Sequence, residues 1–289
     1  MGKTPMVRIT KIIEKKGVEI YAKLEGFNPT GSIKDRIAIA MIEKAEKDGL
    51  LKNGKTIIEA TSGNTGISLA MAAAVKGYPI EIAISAGVSP ERIKILKAFG
   101  AEVILTNKNL GTDGAITKVK ELIATNPEKY YSPDQFSNLA NPNAHFEKTA
   151  REIWKQTNGE IDYFVAGIGS SGTLMGIGRY LKEMNPNVKI IAAHPTRGHK
   201  VQGLKNLDES LIPAIYNRNV MDEIIEVKDE PAFEFTRKLI RKEGLFVGIS
   251  SGAALYVASK IAERITTGKI VVIFPDRGEK YLSTELFNF

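Results

Sequence analysis

Short runs of apolar and β-branched residues alternate with longer segments whose apolar residues recur at helical spacing through most of the chain. Runs of the first kind predict strands, and spacings of three and four residues predict helices. The predicted strands are 18–24, 56–60, 80–84, 102–105, 163–166, 189–193, 223–227 and 269–274, and the predicted helices are 34–48, 65–76, 90–99, 113–125, 145–156, 174–184, 232–242 and 253–264. Because such alternation needs crossover connections, it predicts an α/β fold with parallel strands covered by helices.

Residues 132–143, with the sequence SPDQFSNLANPN, interrupt this pattern near the middle of the chain. Proline and asparagine at this density are typical of a loop. The segment is therefore a candidate hinge between two α/β lobes. The sequence contains no Gly/Ser-rich linker, so we expect the two lobes to pack closely.

The composition narrows the classes of function. Of the 289 residues, 43% are hydrophobic and 25% are charged, which is typical of a folded globular protein. The chain has no cysteine, which excludes thiolate catalysis, disulfides and cysteine-ligated metal sites. His145, His194 and His199 are too few for a metal centre built on several imidazoles, so we expect no metal.

The net charge of +7 raises the question of a nucleic-acid partner. The lysines are scattered among acidic residues, as at 43–48, which is typical of a solvated helix face. We therefore expect no nucleic-acid partner. The Ala-rich stretch 67–75 is too short to span a membrane, and residues 1–10 lack the apolar core of a secretory signal. A cytoplasmic location is the resulting expectation.

The segment 167–173, GIGSSGT, joins a predicted strand to a predicted helix. It would bring backbone N–H groups and the hydroxyls of Ser170, Ser171 and Thr173 to a helix N-terminus, which favours a phosphate. The same small residues also suit a tight turn that lets the helix pack closely on the sheet.

A second loop of this kind is TSGNTG at 61–66. The hydroxyls of Thr61, Ser62 and Thr65, with backbone N–H groups, suit a carboxylate. Serine, asparagine and threonine are also ordinary helix N-caps, so capping alone is the alternative interpretation.

Two further segments carry candidate chemistry. NPTGSIKDR delivers Lys34 to a helix N-terminus, where the helix dipole and burial would lower its pKa and make the amine nucleophilic. PDRGEKYLST places Asp276 at the carboxyl end of the last apolar strand, where ligands gather in α/β sheets. The alternatives are a surface lysine and a solvated turn.

Taken together and in this order, the segments resemble the cysteine synthase (O-acetylserine sulfhydrylase) family of fold type II pyridoxal-phosphate enzymes. The resemblance spans nearly the whole chain and rests on TPMVRI, NPTGSIKDR, TSGNTGISLA, SPERIKILKAFGAEVILT, PDQFSNLANPNAHF, GIGSSGTLMGIG, GISSGAA and PDRGEKYLST. It implies two open, twisted, mostly parallel sheets flanked by helices. It also implies a larger lobe, residues 1–38 and 144–289, that anchors the cofactor, and a smaller mobile lobe, residues 39–143.

The resemblance also implies residue roles. Lys34 would hold pyridoxal 5′-phosphate as a Schiff base and serve as the catalytic base, Asn64 would meet the ring hydroxyl, and Asp276 the ring nitrogen. The residues implied for the cofactor phosphate are Gly169, Ser170, Ser171, Gly172 and Thr173. The residues implied for the substrate carboxylate are Thr61, Ser62, Gly63, Thr65 and Gln135.

The chain departs from the family pattern at three places. Ser171 replaces a glycine of the phosphate loop, which would add strain if that position needs a positive φ. The ring-nitrogen partner is often a serine hydroxyl in this family, whereas Asp276 would carry charge. Residues 203–209, GLKNLDE, look closer to the branch that includes O-phosphoserine users, so Lys205 is a candidate contact for a leaving phosphate, the alternative being a plain surface lysine.

The implied reaction replaces the β-substituent of O-acetyl-L-serine, or of O-phospho-L-serine, with sulfide and yields L-cysteine. Cystathionine β-synthase and serine or threonine dehydratase share the fold and the lysine, so both remain alternatives. A catalytically silent ligand-binding paralogue is the alternative from a different class. Kinship further implies a homodimer and the C-terminus of serine acetyltransferase as a partner.

Overall fold

The computed structural model describes residues 1–288 and confirms the α/β fold. The strands are β1 (Met6–Ile9), β2 (Val18–Leu24), β3 (Thr56–Ala60), β4 (Ile80–Ser85), β5 (Glu102–Thr106), β6 (Tyr130–Tyr131), β7 (Tyr163–Gly167), β8 (Lys189–Pro195), β9 (Glu223–Val227) and β10 (Gly268–Phe274). The helices are α1 (Lys34–Lys47), α2 (Asn64–Lys76), α3 (Pro90–Ala98), α4 (Gly111–Thr125), α5 (Ala140–Ala144), α6 (Arg151–Gln156), α7 (Gly172–Met184), α8 (Asp229–Glu243) and α9 (Ile249–Arg264). A π-helical stretch, His145–Ala150, joins α5 to α6.

The strands form two sheets, as the resemblance implies. The six-stranded sheet has the order β1-β2-β10-β7-β8-β9 and is parallel except at β1, which pairs antiparallel with β2. The four-stranded sheet has the order β5-β4-β3-β6 and is parallel throughout. Parallel strands align their carboxyl ends, so the loops that follow them meet at one edge of each sheet.

Both faces of each sheet are covered, which explains why the strands read as continuous apolar runs. In the six-stranded sheet, Val165 packs with α9 on one face, whereas Phe164 and Ala166 pack with α7 on the other. In the four-stranded sheet, Ile57 packs on the α1 and α2 side and Ile58 on the α4 side. This alternation follows the two-residue period of a strand.

The N-terminal half of α1 is fixed by a buried ion-pair cluster. Arg36 lies 2.6 Å from Glu25 and 2.8 Å from Glu152, and Lys23 lies 2.8 Å from Glu152. The side chains of Arg36 and Glu25 are fully buried. The cluster ties the first turn of α1, which carries Lys34, to α6.

The structure differs from the prediction in a few elements. The prediction missed β1 and β6. The helix expected from 145 begins five residues earlier at Ala140, and α9 begins at Ile249 rather than at 253. Among residues 1–288, no helix combines the length and apolar composition needed to cross a bilayer.

Candidate active site

A cavity opens at the carboxyl ends of strands from both sheets. It encloses about 900 Å³, part of which is open solvent. Ala166 and Gly167 at the end of β7, Ile273 near the end of β10, and Ser62 just after β3 line it. Ligands of open α/β sheets bind at this edge, so the cavity is the candidate active site.

The loop between β7 and α7 forms one wall of the cavity. Gly169, Ser170, Ser171 and Thr173 line it, next to the N-terminus of a 13-residue helix. Ser171 has a φ of 72°. The position therefore has the positive φ that a glycine would favour, and the serine there carries backbone strain. Its buried Oγ has no hydrogen-bond partner within residues 1–288. A helix N-terminus with an unpartnered hydroxyl suits an anion.

Glycines let this loop approach its neighbours closely. A Cβ at Gly172 would lie 1.9 Å from Oδ1 of Asn141, and a Cβ at Gly169 would lie 2.7 Å from the carbonyl oxygen of Gly203. Asn141 also donates a hydrogen bond from Nδ2 to Oγ of Ser170, at 3.1 Å. The loop is thus held in place before any ligand binds.

The loop between β3 and α2 forms the opposite wall. Ser62 and Thr65 line the cavity, and Oγ1 of Thr65 donates a hydrogen bond to Oε1 of Gln135, a further lining residue, at 2.7 Å. Thr61 and Gly63 lie behind this surface, where Oγ1 of Thr61 accepts the Gly63 N–H at 2.9 Å. The polar groups facing the cavity here suit a carboxylate.

Lys34 lines the cavity from the first residue of α1. The Ile33 N–H donates to the carbonyl oxygen of Pro275 at 2.8 Å, which holds this end of the helix against the loop after β10. Burial lowers the pKa of Lys34 to about 8, although the Asp276 carboxylate opposes the shift. No residue of the described chain accepts a hydrogen bond from its Nζ. An amine with this pKa is partly neutral near pH 7, so it can act as a nucleophile and as a base.

Asp276 is buried behind Asn64 and is not among the residues that line the cavity. Its Oδ2 accepts hydrogen bonds from Nδ2 of Asn64 at 2.7 Å and from the Tyr281 hydroxyl at 2.6 Å. Arg92 approaches Oδ1 of Asn64 at 3.4 Å and lies over the Tyr281 ring. The amide of Asn64 is therefore held from both sides, and its second Nδ2 hydrogen remains for a ligand.

Lys205 lines the cavity from a segment that precedes β9. Its Nζ lies 2.8 Å from Oδ1 of Asp113 in the first turn of α4, and 3.3 Å from the carbonyl oxygen of Leu211. The Lys205 side chain is only 9% exposed. The lysine is therefore a buried, paired residue and not the surface lysine of the alternative interpretation.

The structure brings most of the predicted site residues to one cavity. The predicted residues that line it are Lys34, Ser62, Asn64, Thr65, Gln135, Gly169, Ser170, Ser171, Thr173 and Lys205. The predicted residues that lie behind its surface are Thr61, Gly63, Gly172 and Asp276.

The sequence reasoning missed Ser250, a buried residue near the start of α9 that lines the cavity beside Pro275. The available signal was the motif GISSGAA, which contributed to the resemblance but was given no role. Phe136 and Thr112 also line the cavity and were missed, Phe136 although it lies in the motif PDQFSNLANPNAHF and Thr112 because no local motif marks it.

The sequence of the chain matches a known protein family along most of its length. The family described as pyridoxal-phosphate dependent enzyme matches residues 1–276. A cysteine synthase from Aquifex aeolicus is 50% identical to this chain. The alignment covers 100% of this chain and 90% of the Aquifex protein. The chain belongs to the cysteine synthase family.

Solved structures of the family share the fold. A cysteine synthase from Entamoeba histolytica has a TM-score of 0.94 and 43% identity, covering 100% of this chain and 89% of that one. A hydrogen sulfide-producing enzyme from Fusobacterium nucleatum has a TM-score of 0.92 and 46% identity, covering 97% of both chains. The expectation of a fold type II pyridoxal-phosphate enzyme is thereby confirmed.

Pyridoxal phosphate is the cofactor of the cysteine synthase family, and the cavity residues fit it. The unpartnered Oγ of Ser171 at the N-terminus of α7 suits the phosphate. The Nζ of Lys34 faces the same cavity and suits the aldehyde, while Asn64 retains an amide hydrogen for the ring hydroxyl. Each of the groups that the cofactor needs is therefore present.

Proposed function

We propose that this protein forms L-cysteine from O-acetyl-L-serine and sulfide, with pyridoxal phosphate held by Lys34. The observation that carries the proposal is the meeting, in one cavity, of a lysine of lowered pKa with two anion-binding loops. Bound pyridoxal phosphate supplies an electron sink for the charge that develops at the substrate Cα. Residues of the chain bind the reactants, orient them and transfer the proton.

Lys34 has two tasks in this proposal. Its Nζ holds the cofactor, and the same Nζ, when free, takes the proton from the substrate Cα and later returns it. The pKa of about 8 suits this role, because about a tenth of the free amine is neutral at pH 7 and can accept a proton. The acetate then leaves from Cβ, and sulfide adds at the same carbon.

The two loops orient the reactants. Gly169 to Thr173 would hold the cofactor phosphate, and Asn64 would hold the ring hydroxyl. For the substrate carboxylate, Ser62, Thr65 and Gln135 offer polar groups that face the cavity. Thr61 and Gly63 would contribute by fixing the loop from behind.

Ser250 is our preferred partner for the ring nitrogen. It lines the cavity, whereas both hydrogen bonds that Asp276 accepts come from Asn64 and Tyr281. A serine hydroxyl is also the usual partner in families that this chain resembles. Replacing Ser250 by alanine should shift the absorption maximum of the bound cofactor, and an unchanged spectrum would return the role to Asp276.

The decisive experiment adds O-acetylserine to the cofactor-loaded protein and follows its visible spectrum, then adds sulfide and quantifies cysteine. We expect a spectral change and cysteine formation in the wild type and in Lys47→Ala, an exposed lysine of the same helix. Lys34→Ala should lose both. A borohydride-reduced cofactor adduct that maps to another residue would refute the site, and the absence of any change with O-acetylserine and O-phosphoserine would refute the synthase.

A second candidate is release of hydrogen sulfide, favoured by the 46% identity to the enzyme from Fusobacterium nucleatum. In this reaction the Cβ–S bond of L-cysteine breaks, sulfide leaves, and water adds at the same Cβ to give L-serine. The rate of sulfide evolution from cysteine, compared with the rate of cysteine formation from O-acetylserine in the same preparation, shows which of the two activities is greater.

Two further assays test the remaining enzyme alternatives. Homocysteine in place of sulfide tests the cystathionine β-synthase alternative, and omission of any nucleophile tests the dehydratase alternative. A protein that binds the cofactor but performs none of these would be the silent paralogue.

We further propose a mobile lobe and a homodimer. The cavity lies between walls from residues 39–143 and from the larger lobe, so carboxylate binding at Ser62 and Thr65 would draw the two together and exclude water. Small-angle scattering with and without O-acetylserine should show the compaction.

Sedimentation should show a homodimer, with twice the chain mass of 31.6 kDa. Adding the C-terminal peptide of serine acetyltransferase to the same measurement tests that peptide as a partner. A cytoplasmic location accords with these substrates.

A further inference from the structure

We propose that Asp113 determines which donor the site accepts, by neutralising Lys205 and so selecting an uncharged acetyl ester over a phosphate ester. The inference rests on the proposed function, because it concerns the leaving group of that reaction. It assigns a role to a residue of α4 that no sequence motif marks. The argument starts from the charges of the cavity.

Lys34 and Lys205 are the charged side chains among the described residues that line the cavity. Lys34 is committed to the cofactor, which leaves Lys205 as the cation available to the leaving group. A dianionic phosphate ester would need such a cation, whereas an acetyl ester would not.

Lys205 is already paired with a carboxylate. Its Nζ lies 2.8 Å from Asp113, 3.3 Å from the Leu211 carbonyl oxygen and 5.4 Å from the centre of the Phe136 ring. An ammonium has three hydrogens to donate, and the Asp113 carboxylate and the Leu211 carbonyl oxygen accept two of them. A phosphate could reach Lys205 only by displacing Asp113 or by lying beside its carboxylate.

Asp113 is fixed in this position. Its second oxygen, Oδ2, accepts the N–H of Leu211 at 3.2 Å, so the carboxylate bridges Lys205 and the 211 backbone. Asp113 also lines the wider cleft that leads into the cavity. A phosphorylated donor therefore meets no free cation at Lys205 and lies beside the Asp113 carboxylate there, which disfavours O-phosphoserine.

The experiment measures the ratio of kcat/KM for O-acetylserine to kcat/KM for O-phosphoserine, with the cofactor-loaded protein. We expect the wild type to prefer O-acetylserine. Asp113→Asn keeps the size of the side chain but frees Lys205, so kcat/KM for O-phosphoserine should rise at least tenfold relative to O-acetylserine. Asp113→Glu should restore the wild-type ratio. Glu121→Gln, which removes an exposed carboxylate from the same helix, should leave the ratio unchanged.

Inorganic phosphate provides a readout that does not depend on turnover of a phosphorylated donor. Its inhibition constant against O-acetylserine should fall about tenfold in Asp113→Asn, and the further change Lys205→Met should abolish that gain. A wild type that prefers O-phosphoserine, or an Asp113→Asn variant with an unchanged ratio and inhibition constant, would overturn the inference. Failure of the proposed function would look different, because neither donor would then react in the wild type.

Discussion

Asn64 shows how a single side chain can be oriented by residues that never meet the ligand. Its Nδ2 donates to Asp276 at 2.7 Å, and Arg92 approaches its Oδ1 at 3.4 Å. Asp276 and Arg92 are both buried, so neither contact is exchanged readily for water. In the proposed function, Asp276 would therefore act through Asn64 as a positioning residue.

Removing the acceptor at position 276 should loosen this arrangement. Asp276→Leu leaves the Asn64 amide and the Tyr281 hydroxyl without a buried acceptor, and each loss costs about 1–3 kcal/mol of stability. We expect pyridoxal phosphate to bind at least tenfold more weakly, measured by absorbance titration of the cofactor-free protein. Asp276→Asn retains a carbonyl oxygen and should recover most of the affinity. Equal affinity in the Leu variant would show that Asn64 needs no such support.

Ser171 combines a strained backbone with a buried hydroxyl that has no partner among residues 1–288. Its φ of 72° favours glycine, and its buried hydroxyl has no partner in the described chain. Ser171→Gly should therefore raise the unfolding free energy of the cofactor-free protein by about 1 kcal/mol, measured by urea denaturation. Ser171→Ala keeps the strain and should not stabilise.

The cofactor separates the two effects at position 171. If the hydroxyl contacts the phosphate, Ser171→Gly and Ser171→Ala should both bind pyridoxal phosphate more weakly than the wild type. A glycine variant that is no more stable than wild type without cofactor would contradict the assignment of strain.

At the level of elements, α7 is positioned by close backbone contact with α5. A Cβ at Gly176 would lie 2.1 Å from the carbonyl oxygen of Pro142 and 2.9 Å from the Phe146 nitrogen, both backbone atoms that cannot rotate away. The loop before α7 lines the cavity, so a displacement of this helix would also move the wall of the cavity.

Gly176→Ala should lower the unfolding free energy by about 2–3 kcal/mol, because the added methyl group overpacks a rigid contact. It should also weaken cofactor binding. Gly178→Ala is the matched control on the same helix, because its Cβ would meet side-chain atoms of Val220 and Ile190 that can shift. Thermal unfolding of the two variants should separate them, and equal melting temperatures would contradict the close-packing account.

Periodicity was sufficient to predict elements that have a strong repeat and insufficient for the others. β4, all six residues of which are buried, was predicted to within one residue. β6 has only two residues, too few for any period, and was missed. The start of α9 was placed late because Gly248 and the serines 250 and 251 are typical of a loop, and Ser250 was lost with it.

The site was predictable where its chemistry is local and not where it joins distant segments. Lys34 and the two loops were found because each stands at a strand-to-helix or loop-to-helix junction with its own signature. Asp113 was not found, since its partner Lys205 lies 92 residues away and the pairing depends on how the two sheets face each other. Asp276 was singled out by its place after the last strand, but it does not line the cavity, and its contact with Asn64 spans 212 residues and could not be foreseen.

Glu59 makes the stability of the whole molecule depend on pH. It is buried in β3, and burial together with the nearby Asp134 carboxylate raises its pKa to about 8 from an ordinary value of 4.5. The folded protein therefore holds this proton between about pH 4.5 and 8, whereas the unfolded chain releases it. By linkage, the contribution of Glu59 is fully present below pH 4.5 and is lost as pH rises through 8, at up to about 1.4 kcal/mol per pH unit.

Glu59→Gln removes the titratable carboxyl group and keeps nearly the same side-chain shape. Its unfolding free energy, measured in urea at pH 5, 6, 7 and 8, should gain steadily on that of the wild type as the pH rises, because glutamine never has to hold a proton. Glu128→Gln, at an exposed position, should follow the wild-type curve in parallel. If the difference between Glu59→Gln and wild type stays constant from pH 5 to 8, then Glu59 does not retain its proton in the folded protein, and a charged carboxylate must be accommodated beside Asp134 at the edge of the four-stranded sheet.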